Sequence, residues 1–136
     1  MIKYPPMNFA ISVHGAPHGS ESALSAYRFA EAALAAGHSI TRVFFYHEGV
    51  RTADGLAVTP QDEDSVHRQW VALHDKHGVE LAVCIAAALK RGMLNEAEQA
   101  RYEKLAASLH PAFEIVGLGQ LIDALIQADR AITFGA

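Results

Sequence analysis

The chain holds a single cysteine among 136 residues, so no disulfide can form within it, as expected for a reducing compartment. It has no excess of positive charge. Eleven Lys and Arg stand against fifteen Asp and Glu, for a net charge of −4, and the basic residues are scattered. Nothing resembles a basic stripe that could track a phosphate backbone, which argues against direct nucleic-acid binding. No apolar run approaches the roughly 20 residues that span a bilayer. The start Met1-Ile2-Lys3-Tyr4-Pro5-Pro6 lacks the apolar core of a signal peptide, so no membrane association and a cytoplasmic location are expected. Internal repeats and low-complexity tracts are missing too, leaving one domain over residues 1–136, with 1–7 as a short extension.

What is present is enough apolar material, 51% of residues, for one sizeable core. Strand-like and helix-like segments alternate. Met7 to Val13, Ile40 to Tyr46, Val79 to Val83, Phe113 to Val116 and Ala131 to Phe134 read as strands. The run Val43-Phe44-Phe45-Tyr46 is nearly continuous in bulky residues, as in a strand covered on both faces. Between the strands lie helical segments. The first has Ser20 or Ser22 as cap, an apolar face of Leu24, Tyr27, Ala30 and Leu34, and Gly37 as stop. The second has Asp62 or Asp64 as cap, Val66, Trp70 and Leu73 as buried side, and Gly78 as stop. Asn95 followed by Glu98 marks another helix start, and Gln120 to Ala128 is a last helix. This alternation predicts an α/β fold: three layers, α/β/α, around a mainly parallel five-stranded sheet of flavodoxin-like or Rossmann-like layout. The stretch from His47 to Gln61 reads as a long polar loop and a candidate lid.

Cys84 falls where the third strand ends and the helix-forming segment Ile85 to Arg91 begins. In a parallel sheet the carboxyl ends of the strands form the ligand-facing edge, and a thiol there faces unpaired backbone N–H groups that favour the thiolate. The blander account is a small buried hydrophobe, a common fate for a free cysteine. His14 and His18, in the loop after the first strand, and His47, at the end of the second, are candidate neighbours of a sulfur pocket on that edge. The glycines of the first loop lack the spacing of a dinucleotide or P-loop fingerprint, so no cofactor is expected. His67, His74 and His77 share one helix without completing a ligand set. They read as solvated helix histidines, and no metal is expected. His47-Glu48 suits proton transfer, though the start of a polar loop is the plainer reading.

Three segments, in this order and spacing, resemble the DsrE-like sulfur-transfer family, and within it the TusD-type subunits. They are Phe44-Phe45-Tyr46-His47-Glu48-Gly49-Val50, Cys84 through Gly92, and Gly117-Leu118-Gly119-Gln120-Leu121. The similarity spans about Asn8 to Phe134 and is most specific at the cysteine. It implies a sulfurtransferase whose Cys84 accepts sulfane sulfur as a persulfide from a TusA-like donor and passes it to a TusE-like acceptor. The product of that relay is the 2-thiolated wobble uridine of tRNA. The resemblance also implies assembly with TusB-like and TusC-like subunits as a heterohexamer, a dimer of heterotrimers. A DsrE-type subunit of sulfur oxidation, a non-catalytic assembly subunit of the same complex, and nucleotide or flavin binding at the sheet edge are the alternatives.

Overall fold

A computed structural model describes residues 5–135; of the expected extension over 1–7, residues 1–4 lie outside the described residues. Five strands form one sheet: β1 (Asn8–Val13), β2 (Ser39–Phe45), β3 (Leu81–Cys84), β4 (Phe113–Val116) and β5 (Arg130–Phe134). Their spatial order is β4-β3-β2-β1-β5, and every neighbouring pair is parallel. The helices are α1 (Ser22–Ala35), α2 (Val66–His77), α3 (Ile85–Lys90), α4 (Glu96–Arg101) and α5 (Leu118–Gln127).

The order dictates the layers. From β1 to β4 the chain steps in one direction, and right-handed crossovers put α1 to α4 on one face of the sheet. The return from β4 to β5 runs the other way and puts α5 on the opposite face. Strand alternation agrees. Val43 and Phe45 point toward the α1/α2 layer, where Trp70 packs edge-on to Phe45 at 5.4 Å and to Tyr27 at 5.7 Å. Arg42, on the other face of β2, donates to the Gln120 carbonyl at 2.9 Å and pairs with Asp123 of α5. Trp70 is fully buried and donates its indole N–H to the Ala23 carbonyl at 3.1 Å, tying α2 to α1.

Several local expectations shift. In the first helix Ala30 is buried and Tyr27 and Leu34 pack on the core as expected, but Ala23, Ala26 and Ala33 take the closest approach in place of Leu24, because alanines let the helix lie close on the sheet and on α2. Its N-cap is Glu21, without a side-chain cap bond; Ser20 Oγ instead accepts from the Ser22 N–H. The cap of α2 is Ser65, not Asp62 or Asp64, its hydroxyl accepting from the Arg68 N–H at 3.2 Å. Asn95 caps α4 through the Glu98 N–H at 2.8 Å, as its spacing predicts. The segment expected as a loop from His47 begins as a 3-10 helix, His47–Ala53. Gly49 explains that turn: a Cβ there would stand 2.2 Å from the Val13 carbonyl oxygen, so only glycine lets the segment fold back onto the end of β1.

Candidate functional site

Cys84 is the last residue of β3 and the N-cap of α3. Its register partner on β4 is Val116, and Gly117 and α5 follow at once. The chain therefore leaves two adjacent strands toward opposite faces, α3 to one and α5 to the other. This divergence makes a topological switch point, and open α/β sheets bind their ligands in the crevice outside such strand ends. Around α5's first turn, Gly117 and Gly119 border open space.

By alternation along β3, the thiol shares the α5 face with Ala82, and across the register with Phe44. It is 2% exposed and packs within the core cluster, which also draws in Tyr46, Val116 and Leu121. The position is the strand end expected from the sequence, and the sulfur there is enclosed, which is the burial that the account of Cys84 as a small buried side chain expects.

The same edge gathers a row of side chains. The backbone N–H of Tyr46 donates to the Val13 carbonyl at 2.9 Å and extends β2 by one residue, level with Cys84. His14 follows β1 and lies 5.9 Å from the Tyr46 ring; His47 lies 5.0 Å from His14 and 4.2 Å from Tyr46. Strands are about 4.8 Å apart, so Tyr46 occupies the place next to the thiol and His14 the one beyond, about 10 Å away. His14 and His47 therefore come together, with Tyr46 standing between His14 and the thiol. Burial, and next the neighbouring His47, hold the His14 imidazole below its ordinary pKa, so it is neutral at pH 7. His47 adopts a left-handed backbone, φ 49°, a conformation His tolerates better than most residues.

Beside this row, Glu48 is anchored by Arg91 at the end of α3 and by Arg51 at 3.4 Å. The Arg91 guanidinium holds the Glu48 carboxyl below its ordinary range against opposing desolvation, with Arg51 adding to the effect. A carboxylate so paired serves as a brace between the 3-10 helix and α3, not as a proton acceptor beside His47.

His18 is placed elsewhere. With Arg51, Asp54, Thr59, Ser65 and His67 it lines a cavity of about 220 Å³ beside the N-terminus of α2, and Cys84 is not among the lining residues. The helix histidines are also not simply solvated. His67 Nδ1 bonds the Thr52 carbonyl at 2.7 Å and His74 Nδ1 the Val79 carbonyl at 2.8 Å. Among the described residues, no group of three or more His, Cys, Asp and Glu is arranged to hold a metal, and no helix is long and apolar enough to cross a membrane. Sequence reasoning overlooked Tyr46 and Arg91. The aromatic closing the second strand carried a signal for the first; the partner of Arg91, 43 residues away, carried none.

Comparison with known proteins follows the same lines. A profile of the DsrE/DsrF-like family matches residues 7–134. The sulfurtransferase TusD of Serratia proteamaculans is 44% identical over 128 residues, covering 94% of this chain and 99% of that protein. A TusD homologue of Pseudomonas aeruginosa, also named a sulfurtransferase, is 47% identical over 129 residues, 95% and 98% of the two chains. A DsrE protein of Allochromatium vinosum is 45% identical over 129 residues, 95% and 99%. The crystal structure of the YchN protein of E. coli superposes with a TM-score of 0.74 over 94% of this chain and 99% of that one, at 24% identity, a likeness of fold.

Proposed function

This chain belongs to the DsrE/DsrF-like family, and on that premise we propose that it is a sulfurtransferase carrying sulfane sulfur on Cys84 as a persulfide. The observation that carries the reading is the place of the chain's one thiol: the end of β3, at the switch point of the sheet. The names of the relatives, TusD and DsrE among them, support the class of reaction.

The step needs no cofactor. The Cys84 thiolate attacks the outer sulfur of a donor persulfide, the donor's S–S bond breaks, and the donor leaves as a thiolate. A new S–S bond forms on Cys84, with no net oxidation. The reverse attack by an acceptor thiol unloads it. With no second cysteine in the chain, donor and acceptor thiols both come from other proteins, a TusA-like donor and a TusE-like acceptor. The pathway served is 2-thiolation of the wobble uridine of tRNA. Dissimilatory sulfur oxidation is the other candidate, since TusD and DsrE relatives are equally similar.

An enclosed thiol needs a partner to open the way to it. The outer face of α5 supports that requirement: Leu118, Ile122, Leu125 and Ile126 are all exposed, Ile126 at 77%, and Ala124 alone of the helix is buried. Isolated domains rarely leave such a stripe uncovered, and TusB-like and TusC-like subunits are the partners that would bury it in a heterohexamer. Burial of Cys84 also gives weight to a second reading, a non-catalytic assembly subunit. A relay assay separates the two. Radiolabelled sulfur is followed from a persulfidated TusA-like donor to a TusE-like acceptor, with the complex assembled around either wild-type chain or Cys84→Ala. Transfer that vanishes with the variant supports the carrier. Equal transfer through both complexes assigns the chain to assembly.

A further inference from the structure

On the α1/α2 face, away from the thiol, two segments distant in sequence are stitched together. Asp54 forms an antiparallel bridge with Leu109, the Gly55 N–H donates to the Ser108 carbonyl at 2.7 Å, and the His110 N–H donates to the Ala53 carbonyl at 2.9 Å. This clasp fixes the near end of the loop 54–65, which borders the cavity beside α2. A side chain holds the turn on the far side of the clasp: Nδ1 of His110 accepts the Ala112 N–H at 3.0 Å. Only an unprotonated Nδ1 can do this, so His110 is neutral with its proton on Nε2.

We propose that His110 is a proton-operated latch on the loop 54–65. While Nδ1 carries a lone pair, the 110–112 turn is closed and the clasp with residues 53–55 stays in register. A proton taken from solvent converts that acceptor into a donor facing the Ala112 N–H, and the turn opens.

The surroundings favour release once the proton is on. His67 stands with its ring centroid 5.2 Å from that of His110 and donates from Nδ1 to the Thr52 carbonyl. From α2, Arg68 borders the same cavity as His110, while His74 disfavours and Asp75 favours a charge on it. Asp54 lies across the bridge, and Glu96 of α4 lines the groove on the other side of His110. Burial first, and then His67, lower the His110 pKa below its ordinary value, so the latch is shut at neutral pH. Opening then grows by at most about tenfold per pH unit as pH falls below that value.

The test is site-resolved amide hydrogen exchange of the full chain at pH 7.5 and 5.0, corrected for intrinsic exchange and read at Gly55, His110 and Ala112. Wild type should lose about tenfold or more of its protection at all three amides at the lower pH. Asparagine presents a side-chain oxygen to the amide two residues on and cannot titrate, so His110→Asn should keep protection at both pH values. His110→Ala should be weakly protected at both. Wild-type protection that is unchanged between the two pH values overturns the latch, as does the same pH-dependent loss in His110→Asn. Ring nitrogen NMR of the wild type gives an answer even if the variants do not fold: Nδ1 must be the unprotonated nitrogen at pH 7.5, and an Nδ1–H tautomer rules the latch out.

Discussion

Gly49→Ala is the substitution whose cost the structure sets most sharply. The added Cβ would stand 2.2 Å from the Val13 carbonyl oxygen and 2.9 Å from its carbon, whereas ordinary contact begins near 3.4 Å. Both neighbours are backbone at the end of a central strand, so no side chain can swing aside. Relief requires the 3-10 helix and β1 to part by more than an ångström. That breaks the Tyr46 N–H to Val13 bond at 2.9 Å and the Gly49 N–H to His14 bond at 3.1 Å. Two hydrogen bonds at about 1 kcal/mol each, with about 1–3 kcal/mol for overpacking, give a loss of about 3–5 kcal/mol. Trp70, the only tryptophan and fully buried, reports unfolding by fluorescence. With a urea slope of about 1–3 kcal/mol per M, the midpoint should fall by at least about 1 M. Gly119→Ala is the control. It lies in the first turn of α5 with open space around it, and should be neutral or stabilising by up to about 1 kcal/mol. Gly49→Ala unfolding within about 0.5 kcal/mol of wild type would refute the packing of this edge.

Arg42→Met removes the bonds from β2 to Gln120 and Asp123 that hold α5 on the thiol face; Ellman's reagent should then label Cys84 several-fold faster than in wild type, and an unchanged rate would show that α5 does not cover the sulfur. His14 and His110 both titrate below the ordinary imidazole value of 6.5, so the unfolded chain binds more protons than the folded one as pH falls past that point. Stability measured by urea should therefore be full above about pH 6.5 and decline steadily below it. Glu48, depressed chiefly by Arg91, adds a further decline only below its ordinary value of 4.5. A stability that rises between pH 7 and pH 5.5 would contradict both histidine environments.

The layered α/β architecture was legible because hydrophobic strands and helix signals alternate in register with turn residues. The Asn95–Glu98 cap and the Gly78 stop were legible because both are local chemistry. On α1, Ala30, Tyr27 and Leu34 were legible, but the close approach at Ala23, Ala26 and Ala33 was not, since side-chain size alone does not say that a helix must lie close to its neighbours. Cap competition among Asp62, Asp64 and Ser65 was decided by where α2 docks, through Trp70 and Leu73. At the site, the strand-end position of Cys84 could be read from its flanking residues. Its enclosure stood as one of two accounts, because what covers the sulfur is α5, which returns to the opposite face more than 30 residues later. His14 and His47 meet because parallel strands β1 and β2 end together; His18, only four residues beyond His14, is carried across to the α2 side by the turn at Gly15 and Pro17.

The central claim is that Cys84 carries sulfur, and intact-protein mass spectrometry under non-reducing conditions tests it most directly. The chain, combined with the TusB-like and TusC-like subunits proposed for it, is incubated with a persulfidated donor. Wild type should gain about the mass of one sulfur, lost on treatment with a thiol reductant, and Cys84→Ala should gain none. A wild-type chain that stays unloaded in the assembled complex, or a variant that loads equally well, would contradict the account and leave Cys84 as a packing residue.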